Sequence, residues 1–329
     1  MLQAIQVGFA VLFALAFFNG ANDVGHSVVG LITINASEKS EEASLRRAVF
    51  WGAFFSGVGS MAALLVSGLL FLVFTQDLVS FPLGPSFALA VLVGATVWIA
   101  VGTVLRIPVS STQTIIGAIV FLLLYLYGTS RLQWNVLVLR VLFPMAASPF
   151  LALLATYIFH KLARGRSATS EMSPEKVKML HWGTAALTSF ARGINDAPKM
   201  VALGFFLLPV ASQGSLWIPY AFVSFAIFIG SVSFGRKFTQ SLVTKDERLD
   251  NDQRLRAGLT TAALVGAGAI FGAPISTTHV AAGAKAGARA DEREVLWNTT
   301  RSIVLAWAVT FPVAGLLAIL ASIFLSPFF

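Results

Sequence analysis

Cysteine is absent from this 329-residue chain, and charged side chains are scarce. Without cysteine there is no disulfide framework, no thiolate metal site and no cysteine nucleophile. Asp, Glu, Lys and Arg make up only 12% of the residues, about half the share in an average soluble domain. Histidine occurs four times, at 26, 160, 181 and 279, with no metal-ligand spacing. No G-x-S-x-G elbow or H-E-x-x-H pair is present. Asp23, His26 and Ser27 sit too close along one backbone to form a relay, because Ser27 points away from His26. The chain therefore does not read as an enzyme, and no cofactor is expected.

Apolar residues are what it has in excess. They form 57% of the chain, 28 of them Phe, and the mean hydropathy is +0.80. A soluble protein of this composition would leave large apolar surfaces in water. A polytopic membrane protein with ~20-residue segments accounts for it better. The net charge of +8 does not indicate nucleic acid, because Lys and Arg gather in a few inter-segment loops. The first apolar segment has no basic region before it and no clear cleavage site after it, so it reads as a retained span.

Ten apolar segments follow one another, at about 2–35, 48–74, 86–105, up to 127, 134–159, 181–208, 216–235, 254–272, 274–289 and 297–325. The main polar linker, Lys161 to Lys178, holds five Lys/Arg and two Glu and divides the chain nearly in half. Loops 37–47, 161–178, 236–256 and 285–296 carry basic residues and are expected in the cytoplasm. The connections at 75–85 and 209–215 have no Lys or Arg and are expected outside, as are both termini. Five segments per half then make the halves enter from opposite sides, as inverted repeats do. The division is 1–160 for the first repeat, 161–180 for the linker and 181–329 for the second.

Four landmarks recur in the same order in the two halves. G-A-N-D at Gly20 to Asp23 returns as G-I-N-D at Gly193 to Asp196. P-V-S-S-T-Q at Pro108 to Gln113 returns as P-I-S-T-T-H at Pro274 to His279, with Gly117 answering Gly283. Trp134-Asn135 returns as Trp297-Asn298, and Pro149 as Pro312. Four ordered matches imply internal duplication.

Asn22, Asp23, Asn195 and Asp196 lie within apolar runs, where a carboxylate is costly unless it binds something. Their oxygens are hard ligands suited to a small cation such as Na⁺. Gly20 and Gly193 are expected to let the backbone open and expose carbonyls. The alternative is that Asp23 pairs with an arginine or accepts backbone N–H groups. In the second motif pair, Ser110, Ser111, Thr112, Ser276, Thr277 and Thr278 put hydroxyls beside expected helix starts, with proline fitting the beginning and Ser or Thr capping. Such termini suit an oxyanion. The same residues would also serve simply to cap or pack helices. The arms 86–127 and 254–289 fit either re-entrant hairpins or full crossings. Arg106, Arg192 and Lys199 flank the motifs and read first as structural charges, balancing an Asp or reaching an interface. His26 would carry a coupling proton or pack by hydrogen bonding.

Together, G-A-N-D-V, G-I-N-D-A-P-K, P-V-S-S-T-Q and P-I-S-T-T-H resemble the inorganic phosphate transporter (PiT) family over essentially the whole chain. The resemblance implies an all-α, multi-pass protein of the cell membrane with two inverted-topology repeats of about five segments each, and broken helices or re-entrant hairpins near the midplane. It implies a secondary transporter importing inorganic phosphate with Na⁺ or H⁺, as a homodimer in the lipid bilayer. Asn22, Asp23, Asn195 and Asp196 would then serve cation coupling. Ser110, Ser111, Thr112, Ser276, Thr277 and Thr278 would hold the oxyanion, with Gln113 and His279 beside them. The chain departs from the family where V-G-H follows the first Asp in place of V-A-N. That change brings His26 in and favours proton coupling. A sulfate permease branch of the family and a passive anion channel are the competing readings; retention of the first G-A-N-D favours phosphate.

Overall fold

A computed structural model describes residues 2–34, 41–79, 83–162, 169, 172–207, 215–246 and 249–325. The expected connection at 209–215 falls almost wholly outside them, as do most of 163–171 and the last four residues. Among the described residues the chain is helical, apart from one bridge between Val79 and Leu132. In order the helices are α1 (Leu2–Ile34), α2 (Glu41–Val66), α3 (Gly68–Leu72), α4 (Pro85–Leu105), α5 (Ser111–Tyr127), α6 (Phe143–Leu162), α7 (Pro174–Phe205), α8 (Trp217–Asp246), α9 (Asn251–Ile270), α10 (Thr277–Ala288) and α11 (Arg293–Leu325). Short π-helical stretches, Val73–Asp77 and Val136–Leu142, follow α3 and precede α6.

Six helical stretches among the described residues are long and apolar enough to cross a membrane. Their outward faces carry large apolar side chains, including Leu65, Phe143, Leu162, Phe225 and Phe324. An apolar exterior around a closed set of helices suits lipid, where every backbone group must be satisfied within the segment. α7 is not among the six; Arg192, Asp196 and Lys199 interrupt its apolar character.

The helix boundaries differ from the sequence expectation in several places. The segment expected at 48–74 begins at 41 and breaks at Ser67, whose buried hydroxyl donates to the Ile194 carbonyl at 2.9 Å. The expected loop 236–256 is largely helical, because α8 runs on to 246 and α9 starts at 251. Asp250 caps α9 by accepting from Gln253 N, while its own N–H donates to the Gln253 side chain. That capping box sets the start of α9 three residues earlier than hydropathy alone placed it.

A larger correction concerns Gly20 and Gly193. Neither opens its helix: α1 and α7 run unbroken through both motifs, as 33 and 32 residues. Their function is close approach. A Cβ on Gly20 would lie 2.2 Å from the Ile227 carbonyl oxygen of α8, and one on Gly193 would lie 2.3 Å from that of Ser56 in α2. α1 therefore packs tightly along α8, and α7 along α2.

α1 and α7 are antiparallel. Gly8 abuts Leu207, Gly204 abuts Leu12, and Asn19 reaches Asp196. α4 runs parallel to α1, with Thr96 Oγ1 donating to Val11 O and Asn22 Nδ2 to Thr103 Oγ1. α9 runs parallel to α7 in the same manner, through Thr188 Oγ1 to Gly258 O and Asn195 Nδ2 to Ile275 O. The α4–α5 and α9–α10 pairs thus enter from opposite ends of the bundle. Each pair also returns to its own end. Gln133 N donates to Leu78 O near the start of α4, and Gln253 Nε2 donates to Ala288 O at the end of α10. With 12 residues, α10 is about 18 Å long and could not cross a bilayer core of about 30 Å. Both arms that the sequence left undecided are therefore hairpins with buried tips.

Candidate functional site at the meeting of two hairpin tips

The tips meet at the level of Asp23 and Asp196, roughly two-thirds of the way along α1 and α7. Thr112 Oγ1 donates to Ile275 O at 3.0 Å, and Gln113 Nε2 lies 3.3 Å from His279 Nδ1. The local sequence explains the tips. Ser110 is the N-cap of α5 and accepts from Gln113 N; Ser276 is the N-cap of α10 and accepts from His279 N. Pro108 and Pro274 precede these caps by two residues, so they do not begin the helices themselves. They bias the preceding chain to an extended form, where an N-cap follows readily. Two helix N-termini, each with unspent N–H donors, consequently face one another in the core.

The spacing within the motifs has a simple geometric meaning on α7. Arg192, Asn195, Asp196 and Lys199 fall at i, i+3, i+4 and i+7 and share one face. The matching face of α1 carries Asn19, Asn22, Asp23 and His26. Every member of these two sets except His26 is buried.

Each Asn anchors a hairpin. Asn22 Nδ2 donates to Ile107 O and Thr103 Oγ1, and its Oδ1 accepts from Val109 N. Asn195 Nδ2 donates to Ile275 O, Thr277 Oγ1 and its neighbour Asp196 Oδ1. The carboxylates are held differently. Asp23 accepts from Asn19 Nδ2 at 3.2 Å and Thr278 Oγ1 at 3.3 Å. Asp196 accepts from Asn19 Nδ2 at 3.3 Å and Lys199 Nζ at 2.9 Å. Lys199 Nζ also donates to Thr112 Oγ1 at 2.6 Å.

Arg192 is wholly buried, and none of its three guanidinium nitrogens has a hydrogen-bond partner. It lies within electrostatic reach of both Asp23 and Asp196. Two carboxylates and two cations therefore share the core, and their formal charges cancel. Leaving a guanidinium unsatisfied in an apolar interior is expensive. A cleft lined by His26, Ser27, His181, Thr188, Arg254 and Lys285 lies one turn beyond Asp23, toward the end bearing the basic loops.

Residues 19–318 match the model of the phosphate transporter family. The chain belongs to that family. It is accordingly a multi-pass membrane transporter and not an enzyme. Among its relatives is a protein named a probable low-affinity inorganic phosphate transporter from Rhizobium meliloti, 30% identical over 94% of this chain and 93% of that one. Proteins of the same name from Mycobacterium tuberculosis and Bacillus subtilis are 29% and 25% identical, over 96% and 97% of this chain and 76% and 97% of theirs. A solved structure titled the sodium-dependent phosphate transporter has the same fold, with a TM-score of 0.84 and 19% identity, over 99% of this chain and all of that one.

In this transporter all twelve residues singled out from the motifs converge on the hairpin tips. Their partners differ from the simple division into cation and anion ligands. Ser110 and Ser276 spend their hydroxyls on capping, and Asn22 and Asn195 spend their amides on loop carbonyls. Arg106 is exposed and adopts a left-handed conformation, φ 58°, at the C-cap of α4; it takes no part in the cluster. Of the two readings open for Arg192 and Lys199, neither side chain reaches an interface, since both lie in the core, whereas Lys199 does balance an Asp, pairing with Asp196 at 2.9 Å. Asn19 was given no role from the motifs. Its signal was the four-residue offset to Asp23, the same offset that separates Arg192 from Asp196.

Proposed function

We propose that this transporter imports inorganic phosphate by symport with Na⁺ or H⁺. The observation that carries the reading is Arg192. A buried guanidinium without partners, within electrostatic reach of Asp23 and Asp196, offers forked donors to a tetrahedral oxyanion. The Ser111 and Thr277 hydroxyls and the backbone N–H groups at the two helix starts would complete the anion's shell. Asp23 and Asp196, with Asn22 and Asn195, would form the coupling side.

Charge balance supports coupling. With the site empty, Asp23 and Asp196 offset Arg192 and Lys199. An arriving phosphate adds one or two negative charges to a dry core, and a co-entering cation restores neutrality. A passive anion channel has no use for the two carboxylates, which repel its cargo.

Two inverted repeats, 1–160 and 181–329 around a short linker, underlie the proposed mechanism. Several pairings support this division. Gly230 abuts the Phe17 carbonyl while Gly59 abuts that of Phe190, and Gly117 abuts the Phe311 carbonyl while Gly283 abuts that of Pro149. Each partner stands at the matching place in the other half, or one residue from it. Alternating access then amounts to one repeat rocking against the other around the hairpin tips.

The test is labelled phosphate uptake into proteoliposomes, in Na⁺ and in Na⁺-free acidic buffer, with sulfate and arsenate as competitors. Accumulation against a gradient, abolished by Asp23→Asn, is the expected result. Equilibration without accumulation, or sulfate outcompeting phosphate, would overturn it.

A further inference from the structure

The two carboxylates sit at matching places on α1 and α7, yet their surroundings differ by one group. On the α1 side, the Thr278 hydroxyl at the second position of α10 donates directly to Asp23 Oδ1. On the α7 side, the equivalent Thr112 hydroxyl at the second position of α5 does not bond Asp196. Lys199 Nζ stands between them, 2.6 Å from Thr112 Oγ1 and 2.9 Å from Asp196 Oδ1. The ammonium is fully buried, and Thr112 passes its own proton on to Ile275 O. Asp23, by contrast, has no ion-pair partner within 4 Å among the described residues. The residue three positions after it is His26, whose ring meets Phe238 edge-on at 6.0 Å.

From this asymmetry we infer that the Lys199 ammonium is a built-in substitute for a coupling cation at Asp196, leaving Asp23 as the one carboxylate that takes up a mobile cation. The chemistry is that of a tethered point charge. An ammonium among a carboxylate and a hydroxyl oxygen occupies the place a small hard cation would take between the same two oxygens. Because Lys199 is fixed to α7, it neutralises Asp196 in every state and carries no charge across the membrane. The other charges in reach are Asp23 on α1 and Arg192 one turn before Asp196 on the same face of α7. Neither forms the contact that Lys199 makes, so removing the ammonium leaves Asp196 without a direct counter-charge.

The inference rests on the symport reading and predicts a count. Wild-type protein and Lys199→Met are compared in two measurements. The first, thermal unfolding in detergent against Na⁺ concentration and pH without phosphate, reads cation binding whether or not transport occurs. The second is phosphate uptake into proteoliposomes against the same variables. Lys199→Met is expected to gain a second Na⁺- or proton-dependent stabilisation, at Asp196, beyond the one that Asp23 gives the wild type. Its uptake should show a Hill coefficient about one higher, the added cation filling an added site. Asp196→Asn/Lys199→Met removes both charges and should return the Na⁺ and pH dependence of unfolding to that of the wild type. A Lys199→Met protein that responds to Na⁺ and pH as the wild type does overturns the inference. So does a Lys199→Met protein that is dead in both measurements and is not restored by the double substitution. Failure of the parent reading shows elsewhere, as wild-type protein that does not accumulate phosphate.

Discussion

Asn19 donates to both carboxylates of the core, to Asp23 Oδ2 at 3.2 Å and to Asp196 Oδ2 at 3.3 Å. One amide thus ties the α1 and α7 motifs together across 177 residues of chain. Hydrogen bonds to ionised groups contribute about 1.5–3 kcal/mol each. Asn19→Leu, similar in size and unable to donate, is expected to lower initial phosphate uptake by roughly tenfold or more. Asn19→Asp places a third carboxylate at the same point and should abolish uptake. Wild-type rates in Asn19→Leu proteoliposomes would show that the bridge has no bearing on transport.

Arg192 gives a second expectation. If its unpartnered guanidinium is the anion's counter-charge, Arg192→Gln raises the phosphate KM sharply. Losing one partner of a buried, hydrogen-bonded charge pair costs 2–5 kcal/mol, about 30-fold or more. Arg192→Lys keeps the charge without the fork and should fall between. The check is uptake rate against phosphate concentration for all three proteins. A KM unchanged in Arg192→Gln would remove Arg192 from the anion site.

The parts of this site that sequence made legible are polar residues that contrast with their setting. Asp23 and Asp196 stand out because carboxylates are rare in apolar runs, and the P-x-S-[ST]-T stretches because they recur. What stayed hidden depends on the rotational phase of helices and on the neighbour across a contact. Gly20 reads as a hinge until the Ile227 carbonyl is found against it. Lys199 reads equally as a charge balancing an Asp or one reaching an interface until α7 is seen to turn it toward Asp196 and Thr112. Asn19 lies outside the repeated motif and is matched by an arginine in the second half, so no repeat exposed it. The hairpins were ambiguous because a charge-based topology is the same whether an arm crosses or returns. Their form came from the contacts of Gln133 with Leu78 and of Gln253 with Ala288.

Two glycines should respond oppositely to the same change. A Cβ on Gly230 would lie 1.9 Å from the Phe17 carbonyl oxygen, whereas nothing lies within 4 Å of one on Gly183, which is exposed on α7. Gly230→Ala forces α1 and α8 apart and should cost about 1–3 kcal/mol. Gly183→Ala removes a flexible residue from a helix interior and should contribute up to about 1 kcal/mol. Thermal unfolding in detergent reads both, as a lower midpoint for Gly230→Ala and an equal or higher one for Gly183→Ala. A stable Gly230→Ala would mean that the α1–α8 contact yields easily.

The orientation of the bundle can be argued from its ends and tested through the missing cysteines. Four polar segments gather at one end: Arg236 lies 3.7 Å from Glu42, Arg256 2.8 Å from His160, and Thr169 bonds Asp252 at 2.9 Å. Arg46, Arg47, Lys176, Lys178, Arg236 and Lys237 all belong to this end. The other end holds Arg131 and Arg140, the latter paired with Asp77 at 2.6 Å. Lys and Arg near segment ends set topology, and the richer side faces the cytoplasm. Because the native chain has no thiol, one introduced cysteine reports one position. Thr129→Cys and Ser215→Cys should react with a membrane-impermeant maleimide on intact cells. Lys176→Cys should react only after the membrane is opened, since all three sites are exposed on the protein itself. The reverse pattern would turn the bundle over, putting the cleft beside His26 on the outer face and making it an entrance for external phosphate.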